Sequence, residues 1–232
     1  MPPIGLFVTG TDTGVGKTRV TLALMAGLQA RGVSVVGMKP VATGCQPSAG
    51  GLRCEDALLL LAQGSVPVPY DWLNPYAFCP PIAPSIAAHE AGIVISLSRV
   101  QQCFARLADV AQGVVVEGVG GWKAPLGDTT VADMAAVLMM PIILVVGIRL
   151  GCLNHALLTC DSIAAAGCRL AGWVANQTEP SCLRLQENIG ALRQRISAPM
   201  LGWIPYLPSA QPAEAALQLD IEPLLSVMET AG

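Results

Sequence analysis

A mostly parallel α/β sheet covered by helices on both faces is the fold class the sequence predicts, and three observations predict it. Apolar runs of strand length recur at Ile4 to Thr9, Val33 to Val36, Gly113 to Glu117, Ile142 to Gly147, Gly172 to Asn176 and Leu201 to Pro205. Helix-compatible segments separate most of these runs, and strands that alternate with helices form parallel sheets buried on both sides. With 232 residues, 53% of them hydrophobic, the chain has material for one sizeable core, so residues 1–232 read as a single domain.

The first strand, Ile4 to Thr9, passes through a glycine-containing loop, Gly10 to Thr18, into a helix-compatible segment from Arg19 to Ala30 that stops near Gly32. Val33 to Val36 then reads as a strand leading to Lys39-Pro40, which completes one strand, loop, helix, strand unit. Leu52 to Gln63 has helical propensity, and Val66 to Pro84, with its prolines and aromatics, reads as an extended loop. Ile95 to Ala111 is a helix candidate, Gly113 to Glu117 a buried strand ending in an acid, and Thr130 to Met139 another helix. The stretch from Met134 to Ile148 is the most apolar, but it is shorter than a membrane span and broken by Pro141. It therefore reads as a helix end feeding a buried strand. Ala156 to Ala166 and Cys182 to Arg195 are the helices between the last three strands. Ligands of such sheets sit at the carboxyl ends of the strands, where Thr9, Lys39, Glu117, Gly147 and Asn176 fall.

A formal net charge of -3 without any lysine-rich block argues against nucleic acid or an anionic membrane as the main partner. Lysine is scarce, so each lysine inside a motif carries more weight. The eight cysteines form no C-x-x-C pair and no metal-ligand spacing, and read as small buried hydrophobes of a reduced compartment. Met1-Pro2-Pro3 has no basic n-region, so no secretory signal is expected and the expected location is cytoplasmic.

The strongest signal is Gly10-Thr11-Asp12-Thr13-Gly14-Val15-Gly16-Lys17-Thr18. Glycines let backbone N–H groups turn inward around phosphate oxygens, a lysine here reaches the β- and γ-phosphates, and a threonine hydroxyl can sit on Mg²⁺. The following helix adds the partial positive charge of its N-terminus. The common pattern has glycine at the position of Thr11, and the nearest leading glycine is Gly10, so the loop reads as one residue longer. A dinucleotide fold fits less well, because Arg19 stands where the third glycine belongs. The expectation is thus a P-loop NTPase-like domain that binds ATP and Mg²⁺ through Asp12, Thr13, Gly14, Val15, Gly16, Lys17 and Thr18.

Glu117 ends the run Val114-Val115-Val116, where a P-loop enzyme places a second anchor for the metal or its water shell; a solvated strand-end acid is the plain alternative. In Arg53-Cys54-Glu55-Asp56 either acid serves equally well on the residues alone, and each is also ordinary for a surface helix.

Taken together, these residues resemble the dethiobiotin synthetases. The resemblance is carried by residues 8–18, by Lys39-Pro40-Val41-Ala42-Thr43-Gly44, by Gly51-Leu52-Arg53 with Asp56-Ala57, and by Asn74-Pro75-Tyr76. It continues through Val116-Glu117-Gly118 with Gly120-Gly121-Trp122, Pro125-Leu126, residues 151–156 and Gly172-Trp173-Val174-Ala175-Asn176. The family turns 7,8-diaminononanoate and CO₂ into a cyclic urea at the expense of ATP, by way of a carbamate and a carbamic-phosphoric anhydride. By this resemblance Lys17 and Lys39 flank the reacting groups, Thr43 contacts the carbamate, and Thr11 and Asp12 line the junction of nucleotide and diamine. Thr18, Asp56 and Glu117 match the magnesium set, with Asp56 preferred over Glu55 by the family's G-L-R-x-x-D spacing. Asn176, Ile204, Pro205 and Leu207 match the base pocket, near which Glu214 falls.

Substrate is expected against Gly118, Gly121 and Trp122, with Pro125 and Leu126 beside its aliphatic part, although a tryptophan at a glycine-rich bend is also common core material. The segment Gly147 to His155 joins a strand to a helix, and the resemblance implies that Cys152, Leu153 and Asn154 reach across a homodimer interface to the distal carboxylate. A structural helix cap is the other reading of that segment. A switch or partitioning ATPase of the related deviant-loop group is the competing class. Its extra lysine near the front of the loop has no counterpart at Thr11 or Asp12, and residues 212–232 are acidic where such proteins often end in a basic helix.

Overall fold

Six parallel strands form the central sheet in the computed structural model of the protein, which describes residues 4–207 and 211–229. In chain order, β1 (Ile4–Gly10) is followed by α1 (Lys17–Gln29), β2 (Val35–Met38), β3 (Val41–Ala42), β4 (Gln46–Ser48), β5 (Gly51–Arg53), α2 (Glu55–Gln63), α3 (Tyr70–Leu73), β6 (Tyr76–Ala77) and α4 (Pro84–Glu90). Then come α5 (Leu97–Ala108), β7 (Gly113–Glu117), α6 (Val131–Leu138), β8 (Ile142–Gly147), α7 (Cys152–Ala165), β9 (Leu170–Asn176), α8 (Leu185–Arg193), β10 (Met200–Ile204), α9 (Pro212–Ala216) and α10 (Glu222–Glu229).

The strand order is β10-β9-β8-β1-β7-β2. The chain builds β2 and β7 on one side of β1, then crosses to β8 and continues outward. The strand order therefore reverses beside β1, which places the expected ligand crevice at the loop that follows it. Successive side chains of a strand point to opposite faces, and both faces here are covered. Leu6, Val8, Val115, Ile143 and Val145 pack with Val20, Leu24 and Leu28 of α1. On the other face, Phe7, Val114 and Val116 meet Val100 and Leu107 of α5 and Met134 of α6. Leu144, Val146 and the fully buried Trp173 pack with Ile189 and Leu192 of α8. Each such side chain stabilises the fold by about 1.5–3 kcal/mol through its removal from water.

All six expected strands are present, β7 and β8 with the expected boundaries and the other four with shifted ones. β2 both starts and ends two residues later than expected, so Lys39 follows its last residue directly. The first helix starts at Lys17, not Arg19, because Gly16 at φ 88° turns the chain into it, so Lys17 and Thr18 form its opening turn. The helix expected from Leu52 begins only at Glu55, since Gly51, Leu52 and Arg53 pair with Ser48, Pro47 and Gln46 in an antiparallel hairpin. The expected loop from Val66 to Pro84 contains α3 and β6, and Pro84 opens α4, where its missing N–H costs nothing. Two other helices also differ: α7 starts at Cys152, ahead of Ala156, and α8 at Leu185, after Cys182. Among the described residues, no helix is long and apolar enough to cross a membrane. The apolar stretch around Pro141 is indeed the end of α6 and the whole of β8, with the break at Met139, φ 52°.

Candidate active site

The loop after β1 is held from both sides. Thr11 donates its N–H to the Val145 carbonyl at 3.1 Å, and the Asn176 amide donates to the Val15 carbonyl at 2.8 Å. Gly16 is obligatory for a second reason besides its positive φ: a Cβ there would stand 2.0 Å from Asn176 Nδ2. Gly10 closes β1 rather than joining the loop, and a Cβ on it would strike Val15 Cγ2 at 2.6 Å. The loop therefore begins at Thr11, not one residue earlier as the sequence reading has it, and packing is what requires glycine at position 10.

Around this loop lies a cavity of about 320 Å³. Thr13, Gly14, Gly16, Lys17, Thr18, Lys39, Thr43, Asp56 and Glu117 all line it. Lys17 is buried and donates to the Asp12 carbonyl at 2.9 Å. Burial, reinforced by the nearby Lys39 charge, lowers its pKa to about 8. Lys39 donates to Asp56 Oδ2 at 2.9 Å and to Glu117 Oε1. Burial opposes the Lys39 charge, but the two carboxylates outweigh it and raise the pKa. Asp56 is likewise held below its usual range, the Lys39 charge and hydrogen bond outweighing burial. Glu55 is exposed, so geometry separates the two acids that the residues alone leave equal.

Thr18 Oγ1 donates to Glu117 Oε1 at 2.9 Å, while Glu117 Oε2 is buried with no partner. A buried carboxylate oxygen without a partner, beside a threonine hydroxyl and a second carboxylate, is a hard, all-oxygen donor set that fits Mg²⁺. No group of three His, Cys, Asp or Glu side chains suited to a metal occurs among the described residues, so phosphate oxygens and water would have to complete the shell.

Ile204 pairs in register with Asn176, the residue whose amide holds the phosphate loop. Asn176 Nδ2 is committed to Val15, and its buried Oδ1 is left without a partner, an acceptor open to an exocyclic amine. Pro205 and Leu207 are partly buried beyond Ile204, and exposed Glu214 caps α9 through the Gln211 N–H at 3.2 Å.

Other expected positions are not gathered in this cavity. Trp122 and Leu126 are buried in the core with α5 and α6, so Trp122 is core material; Val119 and Gly120 line the cavity instead. Gly118 donates to the Val8 carbonyl, and Gly121 packs over the Thr11 carbonyl. Cys152 is buried, Leu153 half-buried and Asn154 exposed in the first turn of α7, and none of them lines the cavity.

Three residues, Arg149, Tyr70 and Asn74, make contacts around the site for which the sequence reading gives them no role. Arg149 pairs with Asp12 at 2.6 Å, tying the loop after β8 to the phosphate loop. Tyr70 accepts the Cys54 N–H at 2.9 Å and donates to Asn74 Oδ1 at 3.0 Å, and Asn74 Nδ2 donates to the Lys39 carbonyl at 2.6 Å. This bridge joins the end of β2, which carries Lys39, to the start of α2, which carries Asp56. The spacing of four between Tyr70 and Asn74 is the one local signal for it. A second hollow of about 300 Å³, around Met139, Met140 and Arg169, opens at the amino ends of β8 and β9, away from these groups.

Comparison with known proteins agrees with this geometry. A family model described as an AAA domain matches residues 4–214. The chain is 50% identical over 222 residues to the ATP-dependent dethiobiotin synthetase BioD of Xanthomonas oryzae pv. oryzae, covering 95% of this chain and 99% of that one. It is 48% identical over 220 residues to the BioD of Pseudomonas aeruginosa, covering 94% and 96%. Among solved structures it is similar to the MinC:MinD cell division protein complex of Aquifex aeolicus, with TM-score 0.58, 16% identity and coverage of 97% and 96%. It is similar in the same degree to MinD with Mg-ADP from Pyrococcus horikoshii, with TM-score 0.58, 17% identity and coverage of 100% and 98%. At such identities the MinD likeness speaks for the fold alone. The near-complete match at about half identity, over a phosphate loop faced by two lysines and two acids, means that the chain belongs to the ATP-dependent dethiobiotin synthetase family.

Proposed function

We propose that the protein closes the cyclic urea of dethiobiotin from 7,8-diaminononanoate, CO₂ and ATP, releasing ADP and phosphate. The observation that carries this reading is the convergence of Lys17, Lys39, Thr18, Asp56 and Glu117 on one cavity beside the phosphate loop. One amine adds to CO₂ and loses a proton to give a carbamate. A carbamate oxygen takes the γ-phosphoryl group and ADP departs; the second amine then attacks the carbonyl carbon and phosphate leaves. The carbamate that accepts the phosphoryl group and the nucleotide that donates it are both anionic, so the work of the protein is to position like charges and neutralise them.

Lys17 faces the phosphates with a charge no carboxylate neutralises by direct contact. Lys39 lines the cavity together with the two acids it pairs with, so that a carbamate competes for its ammonium group, and Thr43 and Thr11 donate to the substrate. Thr18, Asp56 and Glu117 would hold Mg²⁺, which when bound neutralises phosphate charge. Asn176, Ile204, Pro205 and Leu207 enclose the base, and Gly118 and Gly121 let substrate approach the backbone. ADP release should require the diamine and CO₂ together, because neither alone makes the phosphoryl acceptor. Vigorous ADP release with water as the only acceptor would point to a switch ATPase instead.

The working unit in this reading is a cytoplasmic homodimer in which Cys152, Leu153 and Asn154 of one subunit grip the distal carboxylate of substrate bound to the other. It is supported by their position at the start of α7, where no side chain caps the helix although the Cys152 N–H itself donates to the Arg149 carbonyl, and by their distance in sequence from the reacting groups. Equal mixtures of Lys17→Ala and Leu153→Glu chains should regain activity through one intact site per mixed dimer. No regain in verified mixed dimers, or full activity from a sedimenting monomer, would exclude the arrangement.

A further inference from the structure

We propose that Cys45 and Cys54 form an oxidisable thiol pair in the wall of the cavity, converted by small hydroperoxides to a reversible disulfide. The β4–β5 ladder pairs Ser48 with Gly51, Pro47 with Leu52 and Gln46 with Arg53, and one further step in the same register sets Cys45 opposite Cys54. Directly opposed residues of an antiparallel pair have Cα atoms about 4.5–5.5 Å apart, inside the span of roughly 4.4–6.8 Å that a disulfide bridges.

Cys45 is fully buried, with its Sγ 3.6 Å from the Ala42 carbonyl. Cys54 is 7% exposed and lines the cavity with Lys39, Thr43 and Asp56, so a small neutral oxidant reaches it by that route. No other two cysteines among the described residues are opposed in this way, and no third ligand converges on the pair to make it a metal site. The hairpin has already closed the loop between the two residues, so the new bond orders little additional chain.

The chemistry balances without a further reactant. The Cys54 sulfur attacks the terminal oxygen of the hydroperoxide, the O–O bond breaks, and the thiol proton leaves with the departing oxygen as an alcohol, or as water from hydrogen peroxide. The Cys45 sulfur then attacks the resulting sulfenic sulfur, the S–O bond breaks, and hydroxyl leaves with the Cys45 proton as water. Two thiols lose two electrons, and the peroxide gains them.

The test treats the fully reduced protein with hydrogen peroxide, quenches with catalase, alkylates the remaining thiols and maps linked peptides by mass spectrometry. The expected first product joins Cys45 to Cys54 and is reversed by dithiothreitol. In Cys45→Ser, a sulfenic acid should accumulate on Cys54 and be trapped by dimedone. Linkage among other cysteines while Cys45 and Cys54 stay free to alkylate overturns the proposal. A second arm rests on the proposed function: Mg²⁺ with a non-hydrolysable ATP analogue should slow oxidation of Cys54 relative to exposed Cys79. Analogue binding is measured on the same samples. Failure to bind then counts against the proposed function, whereas an unprotected Cys54 in analogue-loaded protein overturns the route through the cavity.

Discussion

Lys17→Ala should lower turnover at least about a hundredfold, the scale of losing one preorganised electrostatic contact in a water-excluded site. The buried ammonium group makes its hydrogen bond to the neutral Asp12 carbonyl, so its charge is held ready and not cancelled by direct contact. That arrangement is costly to the fold. The folded pKa of about 8 lies below the 10.5 usual for a lysine, so the cost is fully present below pH 8 and is relieved as pH rises towards 10.5. Lys17→Met, which keeps the packing and removes the charge, should therefore match or exceed the parent in stability at neutral pH and lack the rise in that window. Steady-state ADP release and denaturant midpoints measured across pH separate the two effects. Turnover near that of the parent would remove Lys17 from the reacting centre, and a stability loss on the scale of a core truncation would make it a structural residue.

How legible this site was depends on the kind of signal each part leaves in the chain. Only three lysines occur, Lys17, Lys39 and Lys123, and the two that end up together in the cavity are the two that follow an apolar run and a glycine or strand boundary. Glu117 announces itself by closing three consecutive valines, a pattern that fixes both burial and strand end. The β4–β5 hairpin leaves no such trace, because Gln46 to Ser48 is exposed and lacks the apolar alternation of a half-buried strand. Trp122 follows two glycines that permit either direction, and only packing against α5 and α6 sends it into the core. The double duty of Asn176, which holds the phosphate loop with its amide and keeps an open acceptor, depends on β9 lying two strands from β1, a relation the local sequence does not encode.

Lys39 and Glu117 allow function to be separated from stability most sharply. Both are almost wholly buried and joined directly, with half-exposed Asp56 completing the cluster. Glu117→Ala removes one partner of a buried ion pair and leaves Lys39 under-compensated, so it should cost about 3–5 kcal/mol of stability. It should also abolish most turnover. Replacing both partners by apolar groups of similar volume removes the uncompensated charge, and such exchanges are often neutral or stabilising. The double variant Lys39→Met with Glu117→Leu should accordingly recover much of the stability lost in Glu117→Ala while staying inactive. Guanidinium unfolding and ADP release on the three proteins decide the matter. If the double variant recovers activity together with stability, the cluster serves only the fold. If Glu117→Ala is as stable as the parent, the pair is not the buried, mutually dependent unit described here. Recovery of the fold without recovery of turnover is the result expected of two charges kept in a costly position because the reaction uses them.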